Sequence, residues 1–318
     1  MSARPYSLGR VVNKLAATVG VMGALACAPA ARPAPSTSPP PALIELWDDP
    51  RDLESRDLLI GRGGPALVPD PKVEYRLEAL DTKGHSKGYE VVDPSGRKWD
   101  VKIGDEAQSE VAVSRILWAI GYRQPVVHYV ARWRLSGGPT ATPAPGRFRF
   151  KGDHKSDGEW SWKENPFVGT RPLRGLVIVN ILLNNWDLAA SQNRVYRLHD
   201  DQGSIARWYV VQDLGAALGK PRWPLGSRND IEGFEARGFV RGADGDHVDF
   251  DYGGRHKDLL KDATVDDVVW ACRLLARLSD KQLDDAFRAA GYTDDLRERF
   301  VRHIRMKIGQ GLALDRKR

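Results

Sequence analysis

The chain has 318 residues, 42% hydrophobic and 28% charged, with a formal net charge of +6. That composition is one of a globular, soluble body, and both charge signs interleave with no basic run beside a recognition motif, which argues against nucleic acid as a partner. The only cysteines, Cys27 and Cys272, exclude a disulfide framework.

Arg4, Arg10 and Lys14 precede residues 15–26, which are uncharged and mostly apolar. A bilayer-spanning helix needs about 20 such residues, so this shorter run is the h-region of a signal peptide. Small residues at 24–30 offer several cleavage positions. Leu25-Ala26-Cys27 also resembles a bacterial lipoprotein signal, in which Cys27 would carry the lipid. Residues 1–27 are therefore expected to be a signal peptide or lipoprotein signal. The protein is expected to be exported, as a periplasmic, cell-envelope or secreted protein, with a membrane tether through Cys27 in the lipidated case. Residues 28–42 are rich in Pro and Ala and cannot build a core. With the polar residues 43–72 they make a linker and irregular arm, 28–72.

Residues 73–81 alternate apolar and polar side chains, as a half-buried strand does. The segment 82–88 breaks that pattern, and its glycines Gly84 and Gly88, with Ser86 between them, let backbone N–H groups approach an anion closely. A second strand follows at 89–92, a Pro- and Gly-containing turn at 93–96, and a third strand at 98–103. Lys102 lies between Val101 and Ile103 and points to the face opposite theirs. A buried lysine needs a partner; Glu110 on the next helix is the expected one, with Glu106 one turn earlier on the same face. That helix spans 105–120, with Asp105 and Gln108 as a cap-like pair and Gly121 as its stop. Residues 125–135 are a further strand. Together 73–135 form a small antiparallel sheet with one helix.

Residues 136–318 read as a second, mainly helical lobe. Phe148 and Phe150 mark a short strand, and Trp160 and Trp162 sit in a polar stretch expected to be a lid or insert. Arg171-Pro172 opens a helix that is apolar nearly all round and therefore buried. Asn184-Asn185-Trp186-Asp187 follows it, then a strand at 194–198, its hairpin partner at 206–212, and Asp213-Leu214-Gly215. Asp244, Asp246, Asp249 and Asp251 do not match the spacing of an EF-hand loop. Thr264 to Asp267 and Ser279 to Gln282 are capping boxes of two helices. A last helix, 294–308, carries a stripe that includes Arg297, Arg299, Arg302, Arg305 and Lys307, expected to be solvated. Cys272 is expected to be a buried, inert thiol.

The order lysine strand, helix, Asp-loop, hairpin, Asp-x-Gly resembles the protein-kinase-like superfamily, especially HipA-type kinases, phosphatidylinositol kinases and secretory-pathway kinases. The resemblance covers roughly residues 73–220. It implies an α+β, two-lobed kinase-like fold with an N-lobe at 73–135 and a C-lobe at 136–318. It also implies ATP or another nucleotide and Mg2+ as cofactors, and a hydroxyl-bearing acceptor. Residue by residue, Lys102 would hold the α/β-phosphates and pair with Glu110. The loop with Gly84, Ser86 and Gly88 would cover the phosphates. Asp187 would orient or deprotonate the acceptor, and Asn193 and Asp213 would bind Mg2+. The sequence departs from the pattern in three places. There is no His-Arg-Asp, the Asp187–Asn193 spacing is one residue long so that Gln192 takes the expected asparagine place, and Ala189 stands where many kinases have a lysine. A kinase-like binding module without transfer activity is the alternative reading.

Overall fold

The computed structural model describes residues 43–81, 88–152, 155–199 and 205–315. All of them belong to a unit that runs from Pro40 to the C-terminus. Residues 1–42, which include the expected signal, Cys27 and the Pro-rich stretch, and Gly84 and Ser86 lie outside the described residues. In chain order the strands and helices are β1 (Glu74–Asp81), β2 (Gly88–Val92), β3 (Lys98–Ile103), α1 (Glu106–Ala119), β4 (Val127–Val130), β5 (Arg134–Ser136), β6 (Gly146–Phe150) and β7 (Lys155–Ser156). They continue with α2 (Arg171–Leu182), β8 (Asn193–His199), β9 (Ile205–Val211), α3 (Ile231–Glu235), β10 (Val240–Asp244), β11 (His247–Phe250), α4 (Val265–Ala276), α5 (Asp280–Ala289) and α6 (Asp294–Leu312).

The architecture is the expected α+β one, with a sheet-rich lobe followed by a mainly helical lobe. The sheet has the order β4-β6-β3-β2-β1-β5, antiparallel except for the β1–β5 edge. The expected strand 125–135 is therefore two strands on opposite sides of the sheet. The expected lobe boundary at 135/136 also moves, because β6 inserts between β4 and β3 and belongs to this sheet. Side chains alternate across it. Trp99, Val101 and Phe148 join Tyr75, Tyr89 and Trp133 in an aromatic core on one face. Asp100, Lys102, Arg147 and Arg149 necessarily share the other.

Helix α1 covers that second face and is buried nearly all round. The arm at 43–72 explains why. Its short 3-10 turns bring Leu46, Leu53 and Leu58, all fully buried, into the same core as Val111, Ile116 and Leu117 of α1. The arm is irregular, as expected, but it is part of the folded body and no linker. The Asp105 cap does not form: Asp105 has helical backbone angles and no capping hydrogen bond, and Gln108 instead accepts from Asn229 Nδ2 at 3.2 Å.

In the helical lobe, α2 is capped by Thr170 and buried along most of its length. Both capping boxes are present, at Thr264 with Asp267 and at Ser279 with Gln282. Trp160 and Trp162 are core residues packed against each other, with Trp160 also on Tyr209, and they form no lid. The acidic stretch 244–251 is a hairpin, β10–β11, in which Asp249 and Asp251 pair with Arg241. No described helix is long and apolar enough to cross a membrane.

Candidate active site

The site is built first by register. Across the sheet Lys102 lies opposite Gly88 of β2 and Arg147 of β6, and Asp100 lies opposite Arg149. These residues form one wall of a cavity of about 540 Å³. The facing wall comes from the segments after α2 and β9 and includes Asp187, Gln192 and Asp213. Gly88, Lys102, Asp187 and Asp213 therefore meet in one cleft, although Lys102 and Asp213 are separated by 111 positions.

Lys102 is the electrostatic centre. Its Nζ lies 2.6 Å from Glu106 Oε2, 2.9 Å from Asp213 Oδ2 and 3.8 Å from Glu110 Oε2. Burial alone would lower the lysine pKa, but the charges of Glu110, Asp213 and Glu106 outweigh it and leave the amine firmly protonated. Burial likewise works to raise the Asp213 carboxyl, and the Lys102 charge and hydrogen bond overcome it, so Asp213 is held below the usual carboxylate range.

The expected partner Glu110 does pair with Lys102, at 3.8 Å, but Glu106, the other residue on that face, is the nearer one at 2.6 Å. Glu110 lies one turn further along α1, and its Oε1 is taken by Arg149 Nη2 at 2.6 Å and Arg147 Nε at 2.9 Å. Both arginines also reach Asp100 Oδ2, at 3.2 Å from Arg147 and 3.1 Å from Arg149. Glu106 is bridged in turn by Arg228. The sequence reading missed these arginines. Arg-Phe-Arg-Phe at 147–150 carries the signal, since a strand with Phe148 in the core must aim both arginines at the other face.

The Asp-x-Gly turn is fixed by packing. Gly215 N donates to Asp213 Oδ1 at 3.3 Å, and Ser109 Oγ of α1 donates to Gly215 O at 2.9 Å. A Cβ on Gly215 would lie 2.5 Å from Glu106 Cβ, so only glycine allows α1 to come this close. Asp187 is positioned by the end of α2. The chain leaves the helix through Asn184, at φ 56, and Asn185 Nδ2 donates to Asn180 Oδ1 at 2.9 Å. Asn185 Oδ1 then accepts from Asp187 N at 3.3 Å. The Asp187 carboxylate accepts from Gln192 Nε2 at 3.1 Å and pairs with Arg255 Nη1 at 3.4 Å.

Asn193 is not in the cleft. It is fully buried, its Nδ2 donates to Trp160 O at 3.0 Å, and it does not line the cavity. The extra residue is absorbed by a 3-10 turn at Ala190–Gln192, and β8 starts at Asn193. Neighbours at a strand start point to opposite sides, so Gln192 faces the cavity and Asn193 the core.

The donors present fit Mg2+. Asp213 keeps 31% of its side chain exposed and Asp187 18%, and Gln192 commits its amide nitrogen, not its oxygen, to Asp187. Among the described residues no group of three or more His, Cys, Asp or Glu is placed to hold a metal by itself. Mg2+ is usually held by one or two carboxylates, with phosphates and water completing its shell.

No protein-family model and no curated protein matches the sequence. Among solved structures, the chain is similar to a proinflammatory kinase, CtkA, of Helicobacter pylori, with a TM-score of 0.45 and 9% identity over 76% of this chain and 98% of that one. It is also similar to the Rio2 kinase of Chaetomium thermophilum, in a structure with ADP/Mg2+ and phosphoaspartate, with a TM-score of 0.34 and 16% identity over 76% and 73%. Both scores are low, so the functional reading rests on the geometry of the cleft.

Proposed function

We propose that the protein is a divergent kinase-like phosphotransferase that uses a Mg2+-bound nucleoside triphosphate and a hydroxyl-bearing acceptor. The observation that supports it best is the single cleft lined by Lys102, Asp187, Gln192 and Asp213 under Gly88. A firmly charged amine opposite two partly exposed carboxylates is what a metal–polyphosphate unit requires.

Each residue then has a task. Lys102 exchanges its contact with Asp213 for the phosphates, and Glu106 keeps the amine in place. Asp213, freed of Lys102, and the amide of Gln192 would hold Mg2+, which when bound neutralises charge on the β- and γ-oxygens. Asp187 accepts the hydroxyl proton of the acceptor or orients that hydroxyl. The backbone at Gly88 borders the phosphate end, where a side chain would crowd Asp81 Cβ and Val101 O, each 3.1 Å from its Cβ position.

A kinase-like binding module without transfer is the second reading. It is favoured by the burial of Asn193 away from the cleft and by the uncharged Ala189. Transfer of label from the γ-position of ATP, to protein or to water, separates the two. Active protein should lose roughly 10²- to 10⁴-fold of its turnover in Asp187→Ala and still bind Mg2+–nucleotide. Binding without turnover in the wild type supports the second reading, and turnover unchanged by Asp187→Ala sinks the assignment of that residue. We further propose export, either as a lipoprotein attached through Cys27 or as a free periplasmic or secreted protein. Palmitate labelling of the full chain, absent in Cys27→Ser, separates the first from the second.

A further inference from the structure

Lys102, Arg147, Arg149, Arg194 and Arg228 line the cleft, whereas Arg255 lies outside that lining and reaches it only through Asp187, and the two groups are held very differently. Lys102 is shared among three carboxylates, and Arg147 and Arg149 lie between Glu110 and Asp100. Arg228 closes on Glu106, and Arg194 on Glu159 and the carbonyls of Ser191 and Asn193. Each of these is committed to groups other than Asp187. Arg255 stands apart. Its Nη1 is 3.4 Å from Asp187 Oδ1, a long ion pair, and 40% of its side chain remains exposed.

Its backbone, in contrast, is firmly placed. Arg255 N donates to Trp186 O at 2.8 Å, in the residue next to Asp187. The hydroxyl of Tyr252 lies 3.0 Å from Asn185 O and 3.2 Å from Arg255 O, tying the two segments together. The guanidinium lies over the ring of Trp223, 4.8 Å from its centroid. A rigid stem thus presents a loosely paired, permanently charged fork at the carboxylate where an acceptor hydroxyl would sit. The loop after Asp187 contributes no charge at Ala189.

We propose that Arg255 is a catalytic residue of the transfer step, contacting the phosphoryl group as it passes to an acceptor at Asp187; this rests on the phosphotransferase reading above. In that step the bond between the γ-phosphorus and the bridging oxygen breaks, and the nucleoside diphosphate leaves with the electron pair. The acceptor oxygen forms the new bond to phosphorus, and its proton passes to Asp187. Negative charge on the transferring group draws the guanidinium from the long Asp187 pair onto the phosphoryl oxygens. An arginine acting at this point contributes roughly 10³- to 10⁵-fold in rate.

The test is the affinity of the full chain for Mg2+–ADP, measured by calorimetry with and without fluoroaluminate, a mimic of the transferring phosphoryl group. Wild type, Arg255→Gln and Arg255→Lys are compared. Transition-state mimics bind at least about 10²-fold more tightly than ground states. Fluoroaluminate should therefore tighten ADP by about that factor in the wild type. The gain should fall at least tenfold in Arg255→Gln and recover in part in Arg255→Lys or on adding guanidinium ion. Affinity for Mg2+–ADP alone should stay within about threefold, because Arg255 meets only the transferring group. Equal tightening in wild type and Arg255→Gln overturns the proposal, as does tightening in neither. A loss of Mg2+–ADP binding or of folding in both variants overturns it too, since the residue would then be structural. No Mg2+–ADP binding by the wild type removes the phosphotransferase reading itself, and this inference with it.

Discussion

Lys102 and Lys307 are both largely removed from solvent, and the molecule treats them in opposite ways. Lys102 keeps 15% of its side chain exposed and sits among Glu106, Asp213 and Glu110, whose charges outweigh burial and raise its pKa. Lys307, on α6, is fully buried. Its Nζ donates to Asn184 Oδ1 at 2.6 Å and Leu182 O at 3.1 Å and lies 4.0 Å from the Phe234 ring centroid. There burial dominates and pushes the pKa well below the ordinary value, with the charge of Asp251 too weak to reverse it. What decides the state of a buried amine is whether a carboxylate is within reach. Lys102 is a charge held by carboxylates at the cleft, and Lys307, whose charged form burial disfavours, pins the left-handed turn at Asn184, three residues before Asp187.

The largest effect should come from removing the charged lysine. Lys102→Met leaves Asp213 and Glu106 without their shared cation, which should cost about 3–5 kcal/mol at pH 7 and abolish tight Mg2+–nucleotide binding. Asp213 in the wild type has a lowered pKa, so its stabilisation is present above the unfolded value of about 3.9 and is lost as pH falls through the folded one. In urea denaturation the gap between the two proteins should therefore begin to close below about pH 4 and close fully only below the lowered folded pKa of Asp213. A difference that persists below the folded pKa of Asp213 would place the effect in packing.

Lys307→Met should cost about 3 kcal/mol, because two buried oxygens lose their donor. Its pH signature runs the other way. The folded pKa is depressed, so the unfolded chain binds the proton and wild-type stability rises with pH up to about 10.4. Between pH 7 and 9.5 the gap to Lys307→Met should widen; a constant gap would mean that Lys307 is charged in the fold.

His128 and Cys272 extend the comparison to other groups buried without a carboxylate. Burial, with the Arg115 charge second, lowers the His128 pKa to about 3. Arg115 Nη2 lies 3.1 Å from its Nδ1 and donates to the neutral ring. From pH 6.5 downward the unfolded chain takes up a proton that the fold refuses, so stability should drop by about 2 kcal/mol by pH 5. His128→Gln should flatten that part of the acid profile, and an unchanged profile would assign the loss elsewhere. The smallest effect is at Cys272, whose thiol burial pushes up to about 12. Ellman's reagent should leave the native thiol unmodified and label it fully in urea; rapid native labelling would show that the core opens locally.

Lys307 also shows where the sequence stopped being legible. Its place in the basic stripe of the last helix suggests solvent, yet Phe300, Ile304, Lys307, Ile308 and Gly311 share the buried stripe of α6. The helical period places it there, but its charge argues for solvent, and only the partners Asn184 and Leu182 make that burial possible. Arg299 and Arg305 of the same set pair with Glu235 and Asp280, so they bind neighbouring elements as well as solvent. The first three strands, the hairpin β8–β9 and the capping boxes were readable because local rules specify them. The split of 125–135, the insertion of β6 and the docked arm were not, because each is decided by long-range pairing. Within the cleft, Lys102, Asp187 and Asp213 follow from their order along the chain. The choice of Glu106 over Glu110 depends on how α1 meets the sheet, and that of Gln192 over Asn193 on which side β8 begins, neither of which a local pattern contains.

Lys102, Asp187 and Asp213 are proposed to form one Mg2+–nucleotide site. Its most direct test is the calorimetric affinity for a non-hydrolysable nucleoside triphosphate, with and without Mg2+, in wild type and Asp213→Asn. Binding should depend on Mg2+ and weaken at least about tenfold in Asp213→Asn, a loss of one metal ligand. Binding indifferent to Mg2+ and to Asp213, or no binding at all, would contradict it.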